Sequence, residues 1–72
     1  MMEYIKVRFE SKLYGHTAGL VLELDKFEDM RVEELSRLFP YSESLKMQTL
    51  VRSKSYPTWE EAFQHNFDTD NK

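Results

Sequence analysis

The sequence predicts a small α+β domain: a three-stranded antiparallel sheet with two helices packed on one face, in the order ββαβα. The chain has 72 residues, which is enough for one domain. Three segments alternate apolar and polar residues with the period of two that is typical of half-buried strands. Two other segments repeat apolar residues at helical spacing. We therefore expect residues 1–67 to form one compact domain and residues 68–72 to form a frayed polar tail.

The first two predicted strands span residues 3–10 and 20–24, and we expect them to pair antiparallel because consecutive strands usually neighbour each other. Their inward residues are Ile5, Val7 and Phe9 in the first strand and Leu20, Leu22 and Leu24 in the second. Residues 11–19 contain both glycines, and we interpret them as a loop or a wide hairpin connection.

The first predicted helix spans residues 31–39. Residues 25–29 are a mostly polar connection, in which Asp29 or a neighbour can cap the helix. The apolar stripe of the helix consists of Val32, Leu35, Leu38 and Phe39. Pro40 then ends the helix, because proline cannot continue its hydrogen bonds.

The third predicted strand spans residues 43–54, and its length makes it a candidate for the central strand. The residues expected toward the helices are Leu45, Met47, Thr49 and Val51. The residues expected on the opposite face are Lys46, Gln48, Leu50 and Arg52.

The last predicted helix begins with a capping box, in which the Thr58 side chain caps the backbone and Glu61 reaches back. Its inner face would carry Trp59, Ala62, Phe63 and Phe67. In so small a protein we expect this aromatic stripe to belong to the core, with Trp59 largely buried. The alternative is that the stripe forms a docking face.

Composition excludes several kinds of chemistry. The absence of cysteine rules out disulfides, thiolate zinc sites and cysteine nucleophiles. No spacing brings His16 and His65 together or supplies three metal ligands, so we expect neither a metal nor another cofactor, and no catalytic residues. The formal charge of −3 argues against bulk attraction to nucleic acid or to anionic membranes. The chain has no apolar run of membrane-spanning length, and we expect a cytoplasmic protein.

The expected binding surface is the sheet face opposite the helices, where basic residues surround a few apolar ones, as at protein interfaces. Its candidate partner-binding residues are Tyr4, Lys6, Arg8, Val21, Lys46, Gln48, Leu50 and Arg52. The sequence thus favours a small non-enzymatic binding module that regulates or inhibits a partner protein through this open face or the sheet edge. Compact acidic proteins are common among bacterial and phage regulators, although that is only an association.

Two other functions remain open at this point. The basic sheet face would also suit an accessory protein that binds nucleic acid. A small nuclease-like enzyme would use His16. The sequence leaves the oligomeric state and the identity of the partner undetermined.

Overall fold

The protein is a small α+β domain with an antiparallel sheet and short helices, which confirms the predicted fold class. Its structure is a computed structural model that describes residues 2–39 and 49–71. The strands are β1 (Tyr4–Ser11), β2 (Gly15–His16), β3 (Leu20–Glu23) and β4 (Thr49–Arg52). The helices are α1 (Leu24–Asp29), α2 (Val32–Arg37), α3 (Trp59–Phe63) and a 3₁₀ helix (Phe67–Asn71).

Strand β1 is the centre of the sheet and pairs antiparallel with β2, β3 and β4. Successive residues of a strand direct their backbone hydrogen bonds to opposite edges. On one edge of β1, the Phe9 carbonyl accepts a hydrogen bond from the backbone N–H of Thr17, which lies between β2 and β3. On the other edge, Tyr4 exchanges two backbone hydrogen bonds with Tyr56, which follows β4. Among the described residues, β1 and not the third predicted strand holds the central place, and residues 43–48 of that strand lie outside the described residues. The eight residues of β1 are long enough to take partners on both edges.

The main core lies on one face of β1. Ile5, Val7 and Phe9 are buried there, as predicted, and α2 adds Leu35. Phe39, just after α2, packs edge-on against Phe9 with ring centroids 5.2 Å apart. The partly buried residues packed against this cluster are Leu20, Leu22, Leu24, Phe27, Met30 and Leu50.

Helix α1 occupies residues that were expected to form a strand end and a polar connection. The alternation of leucines continues to Leu24, but β3 ends at Glu23 and Leu24 begins the helix. Leu24 and Phe27 are three residues apart and so lie on one side of α1, where both pack on the core. The apparent connection is therefore a short helix of six residues that adds apolar surface to the core.

Helix α2 is shorter than predicted and buries only part of its predicted stripe. It ends at Arg37, and Pro40 lies outside the described residues. Val32 and Leu38 are exposed, at 59% and 44%. Its N-cap residue is Arg31, which makes no capping side-chain hydrogen bond, so the expected cap at Asp29 is wrong. A helix of six residues has too few turns to seat four apolar side chains on the sheet.

Two buried hydroxyl groups extend the hydrogen bonding of β1 where its neighbours leave the regular ladder. Thr17 Oγ1 accepts a hydrogen bond from the Phe9 backbone N–H over 3.0 Å. Ser53 Oγ accepts from the Lys6 backbone N–H over 2.9 Å and donates to the Lys54 carbonyl over 2.7 Å. These bonds satisfy backbone groups that would be costly to bury unpaired.

Candidate functional site

The predicted binding residues are divided between the two faces of the sheet. Directly opposite residues of paired strands share a face. Leu50 lies opposite Phe9, and Arg52 lies opposite Val7, so both are on the core face. The guanidinium of Arg52 lies 5.6 Å from the centroid of the Phe27 ring on that face. Their predicted place beside Lys6 and Arg8 is wrong, because a register shift of one residue reverses every side chain of a strand.

Four of the predicted residues do share the other face. Lys6 lies opposite Val21 in the β1–β3 pairing, and Tyr4 and Arg8 alternate with the buried residues of β1. Val51 joins them because it lies opposite Arg8. Lys46 and Gln48 lie outside the described residues.

This face is covered by α3 and the 3₁₀ helix, so the prediction of two helices on one face and an open opposite face is wrong. Lys6 Nζ donates hydrogen bonds to the carbonyl of Phe63, over 2.8 Å, and to that of His65, over 3.0 Å. The Arg8 side chain is only 12% exposed, and its guanidinium lies 4.7 Å from the centroid of the Phe67 ring. Arg8 also pairs with the Glu10 carboxylate at 2.7 Å. Both cations therefore hold the domain together.

Gly19 leaves space for the Lys6 side chain to reach these two carbonyls. A Cβ atom built on Gly19 would lie 2.4 Å from Lys6 Cε and 3.2 Å from Lys6 Cγ. The Lys6 stem thus crosses Gly19 closely while its ammonium group reaches the carbonyls at the end of α3. Phe63 is the last residue of α3 and His65 follows its C-cap, and a cation near the C-terminal carbonyls of a helix is favourable.

Helix α3 is anchored by two residues and presents two others to solvent. Ala62 is fully buried, and Phe67 after the helix is 5% exposed. Trp59 and Phe63, which we call the aromatic pair, are 49% and 53% exposed. Their rings stack with centroids 5.0 Å apart and planes 10° apart. The predicted burial of Trp59 is wrong, because the five-residue helix approaches the sheet along Ala62 and leaves the aromatic pair on its flank.

Charged residues of both signs lie around the aromatic pair. Glu60 is exposed and precedes Phe63 by three residues, the spacing of neighbours on a helix surface. Asp68, whose side chain is 81% exposed, lies beyond the helix with one carboxylate oxygen 3.9 Å from Arg8. Arg8 is paired with Glu10, whereas Lys6 is held by backbone carbonyls and keeps its positive charge 5.5 Å from the centroid of the Phe63 ring.

An open groove of about 960 Å³ lies beside α3, apart from the aromatic pair. Its lining residues are Lys54, Ser55, Tyr56, Pro57, Glu61, Gln64, His65, Asn66 and Thr69. His65 is half-buried there, and its Nδ1 is hydrogen-bonded to the Tyr56 hydroxyl. The sequence analysis did not anticipate this contact.

The hairpin between β1 and β2 carries a second exposed apolar patch. Leu13 is 84% and Tyr14 58% exposed. The Ser11 hydroxyl accepts hydrogen bonds from both of their backbone N–H groups, over 3.3 and 3.4 Å. His16 lies in β2, where its Nδ1 is 2.8 Å from the Thr17 carbonyl. Within residues 2–39 and 49–71, no three His, Asp or Glu side chains converge as a metal site would require.

The C-terminal segment differs from the frayed tail that was expected from residue 68. The 3₁₀ helix Phe67–Asn71 is held by Asn66, whose side chain accepts from the Asp68 N–H over 2.9 Å. The Asn66 carbonyl accepts from the Thr69 hydroxyl over 2.7 Å. This turn keeps Phe67 over Arg8.

In the described part of the chain, no helix is long and apolar enough to cross a membrane. Comparison with protein-family models, with characterised proteins and with solved structures finds no match to this chain.

Proposed function

We propose that this chain is a small non-enzymatic binding module that regulates or inhibits a partner protein, and that it binds the partner through the aromatic pair. The observation that carries the proposal is the half-exposed stack of Trp59 on Phe63. A chain of 72 residues has little apolar surface to spare, yet two of its largest side chains face water.

Exposed aromatic side chains suit protein recognition. Tryptophan is enriched among the residues that contribute most to binding, because it buries a large area at a small cost in side-chain entropy. The aromatic pair also sits on a helix that is fixed from below by Ala62 and by the two Lys6 hydrogen bonds. Because this surface is already ordered, association costs it less conformational entropy.

The alternative of nucleic-acid binding gains less support from the site. Bases would stack well on exposed aromatic rings, but such sites combine the rings with a positively charged groove for the phosphates. Here Lys6 and Arg8 make internal contacts, and Glu60 flanks the aromatic pair. Both cations are engaged within the domain and line no groove for phosphates beside the rings, which favours a protein partner over a polyanion.

The proposal is tested by capturing partners from a lysate on immobilised wild-type protein and on two variants. Trp59→Ser removes the larger ring of the aromatic pair, whereas Tyr14→Ser removes a comparably exposed aromatic from the hairpin as the matched control. We expect wild type and Tyr14→Ser to retain the same protein. Trp59→Ser should retain at least about tenfold less, since losing a central aromatic anchor typically costs 2 kcal/mol or more. Circular dichroism of each variant provides the folding control.

Two results would contradict the proposal. A folded Trp59→Ser variant that captures the same protein as well as wild type would show that the aromatic pair is not the binding surface. Binding of mixed-sequence oligonucleotides that weakens steeply with salt and is lost in Trp59→Ser would favour the nucleic-acid alternative instead.

A further inference from the structure

Aromatic rings in this domain repeatedly lie beneath basic side chains. The four pairs, with the distance from cation to ring centroid, are Lys6 over Phe63 at 5.5 Å, Arg8 over Phe67 at 4.7 Å, Arg52 over Phe27 at 5.6 Å and Lys54 over Tyr56 at 5.2 Å. Tryptophan is the strongest ring for such contacts. Among the residues that the structure describes, no lysine or arginine lies over Trp59.

The geometry of the aromatic pair leaves one face of the indole available. Trp59 and Phe63 are nearly parallel, with planes 10° apart and centroids 5.0 Å apart, so one indole face is covered by the Phe63 ring. Trp59 nevertheless remains 49% exposed, so about half of the residue is accessible to a partner.

An exposed carboxylate belongs to the residue that follows Trp59 in the sequence. Glu60 is exposed and lies on the helix surface beside Phe63. In the described ranges, its carboxylate is not part of an ion pair. An aromatic face and a carboxylate together fit a group that is cationic, flat and able to donate several hydrogen bonds.

We propose that the partner inserts an arginine side chain over Trp59, with its guanidinium stacked on the indole and bonded to the Glu60 carboxylate. This inference rests on the proposed function and adds the chemistry of the partner. Arginine fits better than lysine because its guanidinium is planar, weakly hydrated and able to stack while it donates to a carboxylate. The net charge of −3 attracts such a basic segment at longer range.

The probe is a capped five-residue peptide with one arginine between leucines, and its control replaces the arginine with citrulline, which has the same shape without the charge. Trp59 is the single tryptophan, so its fluorescence reports binding directly. We expect the arginine peptide to bind about fivefold or more tightly than the citrulline peptide, as a cation–π contact and a partly exposed ion pair would give. Added salt should reduce this preference.

Two charge-neutralising variants locate the contact. Glu60→Gln should remove most of the preference for arginine, whereas Glu61→Gln, at the groove on the other side of α3, should keep it. Equal binding of the two peptides to wild type would overturn the inference, as would an unchanged emission up to millimolar peptide. An equal loss of preference in Glu60→Gln and Glu61→Gln would also overturn it, because it would reduce the effect to overall charge.

The inference and the proposed function fail in distinguishable ways. If Trp59→Ser abolishes partner capture but the arginine and citrulline peptides behave alike, the aromatic pair is the binding surface and the arginine inference is wrong. If Trp59→Ser captures the partner normally, the proposed function is itself contradicted.

Discussion

At the scale of single residues, Lys6 shows how a charged side chain on a strand can be structural. Alternation along β1 correctly predicts that Lys6 points away from Ile5 and Val7. The pattern cannot predict that Lys6 donates to the carbonyls of Phe63, at the end of α3, and His65 just after it, because these residues are 57 and 59 positions away in the sequence. The sequence does contain one sign of the close packing around Lys6, because a glycine beside a strand, here Gly19, can mark the close approach of another group.

We predict that Lys6→Met lowers the free energy of unfolding by about 1–3 kcal/mol, the range for hydrogen bonds from a charged donor. Methionine keeps most of the apolar stem but cannot donate to the carbonyls of Phe63 and His65. Lys26→Met is the control, because Lys26 is 74% exposed and its ion pair within the described residues is with Glu23 at 3.4 Å. Urea unfolding of both variants measures the effect. Equal stability of the two would show that the Lys6 contacts contribute nothing beyond an exposed ion pair.

At the scale of elements, periodicity located the strands and helices better than it oriented them. The inward residues of β1 are correct because three strict alternations leave one choice of face. In β4, Leu50 and Val51 are adjacent apolar residues, so a period of two fits either face, and pairing with β1 decides. The predicted end of the second strand at Leu24 was wrong for a similar reason, because the alternating leucines of residues 20–24 continue the strand pattern into the first residue of α1.

The capping prediction concerns α3 alone, and the structure confirms its first half. The Thr58 side chain accepts a hydrogen bond from the Glu61 N–H over 3.2 Å. We expect Thr58→Ala to cost about 1 kcal/mol of stability, as loss of an N-cap usually does, and Thr58→Ser to cost much less. Chemical unfolding followed by circular dichroism measures both. If serine is as destabilising as alanine, the capping hydroxyl is not the cause.

At the scale of the whole molecule, the sheet lies between two layers, with α1 and α2 on one face and α3 with the 3₁₀ helix on the other. Length and composition predicted the single thin core, and they were sufficient for the α+β class. They could not place α3, because an apolar stripe of Trp59, Ala62, Phe63 and Phe67 fits either face of the sheet. The second layer is small, and it buries Ala62 and Phe67 while the aromatic pair remains outside. Exposed apolar surface of this kind is typical of interaction sites.

The emission of the single tryptophan tests the central claim, that the folded domain presents Trp59 at its surface. At a concentration where the chain is monomeric, we expect emission close to that of the urea-unfolded chain and strong quenching by acrylamide, because the indole is 49% exposed. Circular dichroism on the same sample confirms that the domain is folded. Blue-shifted emission that is protected from acrylamide in the folded monomer would place Trp59 in the core, and it would contradict both the arrangement of α3 and the binding surface proposed from it.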